Sequence, residues 1–337
     1  MRPQARRAGS EAKGRPLHRA ESDQEGERSP ETDVERIVSL LPSTTEIACA
    51  LGFEDALVGR SHECDFPPGV ARLPVLTEPK LDASRPSTEI DRQVKALVRD
   101  GLSVYRVDAD RLRELDPAVI LTQDQCDVCA VSLSDVEEAL GEWMGSRPRV
   151  LSLKPATLGD VWRDIQRVAE VLGHPERGKL LTVDLTDRIS ETAERALRIA
   201  ERPRVACVEW IDPLMVAGNW MPELVSLAGG RNLFGESGTH SPWIHWEALR
   251  AADPDVIAVL PCGFDLARTR SEIEPLTAQP GWNQLRAVRN RRVLLTDGNQ
   301  YFNRPGPRLV ESLEILTEIL HPDEFPAQHR DTAWQPL

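Results

Sequence analysis

The feature that most constrains this chain is an alternation, run twice, of strand-sized apolar stretches with segments of helical period. In the first run, residues 37–41, 56–59, 103–107 and 118–121 read as strands. Ile90, Val94, Leu97 and Val98 mark one face of a helix between them. Pro42 ends the first strand, and Ser43-Thr44-Thr45-Glu46 matches a capping box opening a helix that stops at Gly52. Thr157 and Asp160 open another helix, with Val161, Ile165, Val168 and Leu172 on one face. A long helical stretch follows. The alternation then restarts with strands at 204–210, 214–218, 255–260 and 293–295 and helices at 221–228, 246–251 and 308–320. Such alternation implies parallel sheets covered by helices on both faces. The expected fold class is α/β, with two parallel-sheet lobes joined by a long helix.

The expected organisation is a disordered N-terminal tail over 1–35, an N-terminal α/β lobe over 36–175, an interlobe helix over 176–202, a C-terminal α/β lobe over 203–322 and a C-terminal tail over 323–337. Residues 1–35 are charged and poor in apolar side chains, so they bury too little surface to offset their ordering entropy. No apolar run approaches the roughly 18 residues of a membrane span, and no membrane insertion is expected. The net charge of −13 argues against nucleic acid, because phosphate binding needs a basic face. No signal-peptide core is visible, which places the chain in the cytoplasm. An upstream start would make it periplasmic or surface-bound instead.

The chemistry-bearing residues gather after strand ends, where ligands sit in open α/β sheets. His62 and Cys64 follow the second strand; Gln123, Gln125, Cys126 and Cys129 follow the fourth; Cys262 follows a strand of the second run. Six cysteines in 337 residues are too sparse for a disulfide framework. His62, Cys64, Cys126 and Cys129 form a plausible four-ligand set for zinc or iron, since thiolate and imidazole suit such metals. The alternatives are a redox pair or small buried hydrophobes. Cys49 and Cys207 fall on apolar stretches and read as core. Trp210, Trp220, Trp243, Trp246, Tyr301 and Phe302 cluster in or near loops of the second run, where they line a cleft or pack beneath loops. No P-loop, dinucleotide fingerprint, H-E-x-x-H or nucleophile elbow occurs, so no recognised catalytic engine is present.

Five motifs in order resemble the iron-siderophore/cobalamin class of ABC-importer substrate-binding proteins, most closely its cobalamin-binding members. They are Arg36 to Glu46, Asp65-Phe66-Pro67-Pro68, Leu115 to Ile120, Ala252 to Ile257 and Leu224 to Phe234. The resemblance spans about residues 36–320. It implies two Rossmann-like lobes on a rigid helix, little domain closure, and a ligand cleft between the lobes. It also implies a cobalamin or other corrinoid, or a related metal chelate, as ligand. Pro42, Ser43, Trp210, Trp220, Pro242, Trp243, Tyr301 and Phe302 fall on the ligand-facing loops. Asp110 and Glu247 match the acids that dock on arginines of an ABC permease, and otherwise read as solvated surface charges. The sequence departs from the pattern by an additional helix near residues 86–101. It departs again by offering His62, Glu63, Cys64, Gln123 and Cys126 where the family has first-lobe aromatics. The expected function is a non-enzymatic cleft binding protein. The alternative is a metal-dependent or redox enzyme using the Cys/His site on the same frame.

Overall fold

The computed structural model describes residues 36–99, 104–123, 133–141 and 147–337. In the first lobe, strands β1 (Ile37–Ser39), β2 (Leu57–Arg60), β5 (Val119–Gln123) and β6 (Arg149–Leu153) form a sheet of order β2-β1-β5-β6, parallel throughout. Between β2 and β5, strands β3 (Thr77–Pro79) and β4 (Tyr105–Val107) pair antiparallel in a separate ribbon. The expected strand at 103–107 thus exists in part but lies outside the parallel sheet. Helices α1 (Pro42–Ala50), α2 (Ser87–Arg99), α3 (Ala109–Leu115), α4 (Leu133–Ala139) and α5 (Leu158–Val171) accompany these strands.

The long helix α6 (Pro175–Leu197) leads to the second lobe. There β7 (Arg204–Trp210), β10 (Val256–Val259) and β11 (Val293–Thr296) are parallel, with β8 (Met215–Val216) and β12 (Trp334–Pro336) antiparallel at the flanks and β9 (Arg231–Asn232) beside β7. Its helices are α7 (Met221–Leu227), α8 (Trp246–Ala252), α9 (Leu266–Ser271), the single turns α10 (Glu274–Thr277) and α11 (Arg286–Arg289), and α12 (Leu309–Leu320).

Helix starts follow local chemistry. Thr157 caps α5 as expected: its side chain accepts from the Asp160 N–H, while the Asp160 carboxylate accepts from the Thr157 N–H. Pro175 opens α6, where a missing N–H costs nothing. The expected capping box at Ser43 does not form. Pro42 is itself the first helical residue, the cap position is Leu41, and no side chain caps the end. Proline's fixed φ suits that first turn, and Ser43 and Glu46 are both buried, free to serve elsewhere.

One apolar core runs through both lobes. It joins Ile37, Leu121, Ile165 and Val168 of the first lobe to Leu185 and Ile189 of α6 and to Leu224, Leu313 and Leu316 of the second. The outer faces of the two sheets carry separate clusters. At the α5–α6 crossing, a Cβ on Gly178 would sit 2.7 Å from that of Ala169, so the helices approach closely there. The lobes share packed side chains and are not merely tethered.

Residues 323–337, expected only as a tail, complete the second sheet. β12 pairs with β11, and Ala333 and Trp334 are buried. Glu318 in α12 anchors them, accepting from His329 Nδ1 at 2.7 Å and from Trp334 Nε1 at 2.8 Å. The bond to Glu318 raises the His329 pKa above its ordinary 6.5. Burial opposes ionisation of Glu318, but the His329 and Trp334 bonds outweigh it and hold the carboxyl below 4.5. The His329 contribution is therefore complete below 6.5 and lost as pH rises through the raised value. That of Glu318 is complete above 4.5 and lost as pH falls. Glu318→Gln is expected to cost about 2 kcal/mol near pH 5.5 and less at pH 8.5, measured by urea unfolding.

Candidate functional site

The loops at the C-terminal edges of the two sheets meet, and most expected site residues lie on them. On the first lobe, β1 leads into Pro42 and Ser43, β2 into His62 and Cys64, and β5 ends at Gln123. The Ser43 hydroxyl donates to Gln123 Oε1 at 3.4 Å, and both side chains are buried. Gln125, Cys126 and Cys129 lie outside the described residues.

Cys64 is 1% exposed and belongs to the apolar core. Its sulfur accepts from the Thr45 hydroxyl at 3.0 Å, and burial pushes the thiol up to about 12. A zinc or iron ligand must be a thiolate, so the arrangement around Cys64 suits a neutral core thiol. Among the described residues, no group of three His, Cys, Asp or Glu side chains could hold a metal ion. Cys207 is likewise core, and Cys49 is half-buried against it.

His62 is differently placed. Its ring Nδ1 lies 2.7 Å from the Thr77 hydroxyl oxygen, and that hydroxyl donates to Ser61 Oγ at 3.0 Å. Thr77 thus holds the imidazole at Nδ1, and the tautomer decides which of the two donates. Burial, aided by Arg60, lowers the His62 pKa, which keeps the ring neutral at pH 7. The Tyr105 ring lies 5.5 Å away, and its hydroxyl donates to Glu63 Oε1 at 3.1 Å. Burial raises the pKa of Glu63. Glu63 and Tyr105 thus pack beside His62; in the sequence Tyr105 reads only as part of the strand at 103–107.

On the second lobe, Trp210 ends β7 and its ring tilts against Phe264 at 5.2 Å. Its Nε1 is buried with no hydrogen-bond partner among the described residues, an unmet donor that costs about 1–3 kcal/mol. Cys262 follows β10 and is half-buried. The Pro242 carbonyl accepts from Val216 N–H, and Trp243 is half exposed. Trp220 and Phe302, expected in the cleft, are 4% and 0% exposed. The Trp220 indole donates to the Phe302 carbonyl at 2.7 Å, so this pair builds the core beneath the loop. Trp246 is also core, against Trp282. Asp110 and Glu247 are exposed in the first turns of α3 and α8, and Asp110 pairs with Arg113 at 2.8 Å.

The residues that sequence reading missed join the lobes. Arg304, on the loop after β11, reaches Glu46 Oε1 at 3.0 Å and both oxygens of Asp65, Oδ1 at 2.7 Å and Oδ2 at 3.2 Å. Asn299 accepts from Arg304 at 3.1 Å and donates to Asp65 at 3.1 Å. Arg308 lies 3.6 Å from Glu46, bonds Gln300 and Glu311, and has Phe66 and Tyr301 rings 4.1 and 4.4 Å from its guanidinium. Both guanidinium groups and Glu46 are buried. Burial pushes Glu46 up to about 6 against the pull of both arginines. At Asp65 burial also opposes ionisation, but the Arg304 bond and charge outweigh it and lower the pKa. The overlooked signal was an acid inside an apolar helix start, Glu46, with two arginines one helical turn apart near the chain's end.

Removing one partner of a buried ion pair leaves an uncompensated charge. The folded-state pKa of Glu46 exceeds the ordinary 4.5, so the unfolded chain ionises it more easily, and its own contribution to stability falls between pH 4.5 and 6. Arg304 limits that loss. Arg304→Ala is therefore expected to cost about 3–5 kcal/mol at pH 7.5, measured by denaturant unfolding, and distinctly less at pH 5. Equal losses at the two pH values would remove Glu46 from the account.

Comparison with known proteins agrees with this architecture. The family profile described as "Periplasmic binding protein" matches residues 37–299. A vitamin B12-binding protein of Photorhabdus laumondii is 22% identical over 293 residues, covering 85% of this chain and 88% of that one. The periplasmic heme-binding protein RhuT of Roseiflexus sp. RS-1, solved without ligand, superposes with a TM-score of 0.63 at 24% identity, over 86% of this chain and 99% of that one. The periplasmic vitamin B12-binding protein BtuF of Vibrio cholerae gives a TM-score of 0.61 at 21% identity, over 85% and 96%. At these identities the solved structures establish the fold alone. No helix among the described residues is long and apolar enough to cross a membrane.

Proposed function

Because the chain belongs to the periplasmic binding protein family, whose members bind substrates without transforming them, we propose that it holds a metal-bearing tetrapyrrole, a corrinoid first, between its lobes and hands it to an ABC permease. The observation that carries this reading is the family match over most of the chain, together with relatives of near-equal length named for vitamin B12. The half-buried rings of Tyr105 and Trp210 supply apolar surface for a flat macrocycle.

A second reading, heme, is favoured by one feature. His62 offers an imidazole held at Nδ1 and kept neutral by burial, and neutral imidazole ligates metals. In either reading the metal belongs to the cargo. Delivery to a permease requires the chain on the outer side of the membrane, with Asp110 and Glu247 as its exposed docking acids. That location replaces the cytoplasmic expectation, and cell fractionation separates the two.

The test is a titration of the purified, reduced chain with cyanocobalamin and, separately, with hemin, following tryptophan fluorescence with correction for ligand absorbance. Saturable one-to-one quenching by cyanocobalamin at micromolar or tighter affinity is expected, with most of it lost in Trp210→Leu. Binding of hemin alone, with an absorbance band that shifts in His62→Ala, replaces the corrinoid by heme. Specific binding of neither probe overturns the tetrapyrrole reading.

A further inference from the structure

Residues 80–99 leave the first lobe after β3 and end on the second lobe. Arg268 of α9 donates to the Ala83 carbonyl at 2.5 Å and to the Arg85 carbonyl at 2.8 Å. The Ser87 N–H donates to Glu272 at 3.2 Å, and the Thr88 hydroxyl to Asp212 at 2.8 Å. Lys95 Nζ lies 4.8 Å from the Trp243 ring centre. These partners share one location. Asp212 follows β7, Arg268 and Glu272 follow β10, and Trp243 bridges to Met215, which pairs with Trp210 at the end of β7. All lie at the C-terminal edge of the second sheet, where ligands of open α/β sheets bind. The arm springs from the ribbon β3–β4, which carries Thr77 and Tyr105, the neighbours of His62.

We propose that residues 80–99 are a gate across the inter-lobe site, docked in this structure and released for ligand entry and exit. The proposal rests on the reading that the ligand lies between the lobes. The reason is a contrast in how firmly the parts are held. The lobes share one apolar core and a buried ion network, so opening them breaks both. Among the described residues, the arm is held at the second lobe by a few hydrogen bonds and one cation–π contact, mostly at exposed positions, and such contacts are individually weak. Its apolar stripe does not dock it. At 100° per residue, Thr88 and Lys95 share one line of α2, while Ile90, Val94 and Leu97 lie more than a quarter-turn away. None of those three belongs to the core clusters among the described residues. Internally the arm is braced. Asp82 accepts from the Ser84 N–H and hydroxyl and from Arg85, and its own N–H donates to Gln93. It therefore moves as a unit about the ribbon, the local opening expected of the least stabilised element.

The experiment uses the full chain and two variants that undock the arm from opposite sides, Arg268→Ala and the double variant Thr88→Val with Lys95→Ala. Hydrogen exchange without ligand is expected to be about tenfold faster over residues 80–99 in both variants, with β7 and β10 unchanged. Maleimide labelling of Cys262, read by peptide mass spectrometry, is expected to quicken by about threefold or more, because this half-buried thiol stands at the strand edge the arm crosses. Stopped-flow association and dissociation of cyanocobalamin or hemin should both quicken, with little change in Kd. An arm that exchanges like free peptide in the wild type overturns the gate, and so does Cys262 labelling that stays constant when the arm is released. If neither probe binds, the tetrapyrrole reading falls, while exchange and labelling still decide the gate.

Discussion

Two arginines of the second lobe, buried against a glutamate of the first, set how the halves of this molecule stand. Arg304 bonds one oxygen of Glu46 and pairs with Asp65, and Arg308 closes the other side between two aromatic rings. Buried ion pairs rarely add net stability over well-packed apolar residues, but a broken one is costly. Such a network therefore favours one arrangement strongly over its near alternatives. Here that arrangement brings the C-terminal edges of two sheets together, and the rest of the site follows from it.

The network also explains the division of labour among the polar residues nearby. Glu46, Asp65 and both arginines are spent on holding the lobes. Cys64 is spent on the core, its sulfur satisfied by Thr45. His62 and Trp210 stand outside that network: the His62 ring is held at Nδ1 by Thr77, and the Trp210 ring lies against Phe264. One lies on the first lobe and the other on the second.

Much of this was legible in the sequence where one local rule acted alone. The strand runs near 37, 118, 204 and 256 were apolar enough to have no other home, and the capping box at Thr157 formed as its residues dictate. The same box at Ser43 failed because Pro42 took the first helical position and Glu46 had a stronger partner 258 residues away. Local pattern cannot register a pairing at that separation. The aromatic cluster was resolved on the same principle. Trp220 and Phe302 satisfy each other and sink into the core, whereas Trp210 has no partner for its N–H among the described residues. The strand at 103–107 was legible, but its partner β3 was not, because β3 spans only three residues and includes a proline.

The insertion between β3 and β4 is best understood against the rigidity of the lobes. A binding protein whose halves hinge apart needs no cover, because closure itself encloses the ligand. A protein whose halves share a core and a buried ion network cannot use that motion cheaply, and its site stands open unless another element covers it. The arm supplies an element small enough to move while the lobes stay fixed, and its polar contacts with Arg268, Glu272 and Asp212 are of the kind water replaces readily. Selectivity then divides between two steps. On the proposed reading, the fixed walls of the inter-lobe site decide what fits, and the arm decides how fast it arrives and leaves.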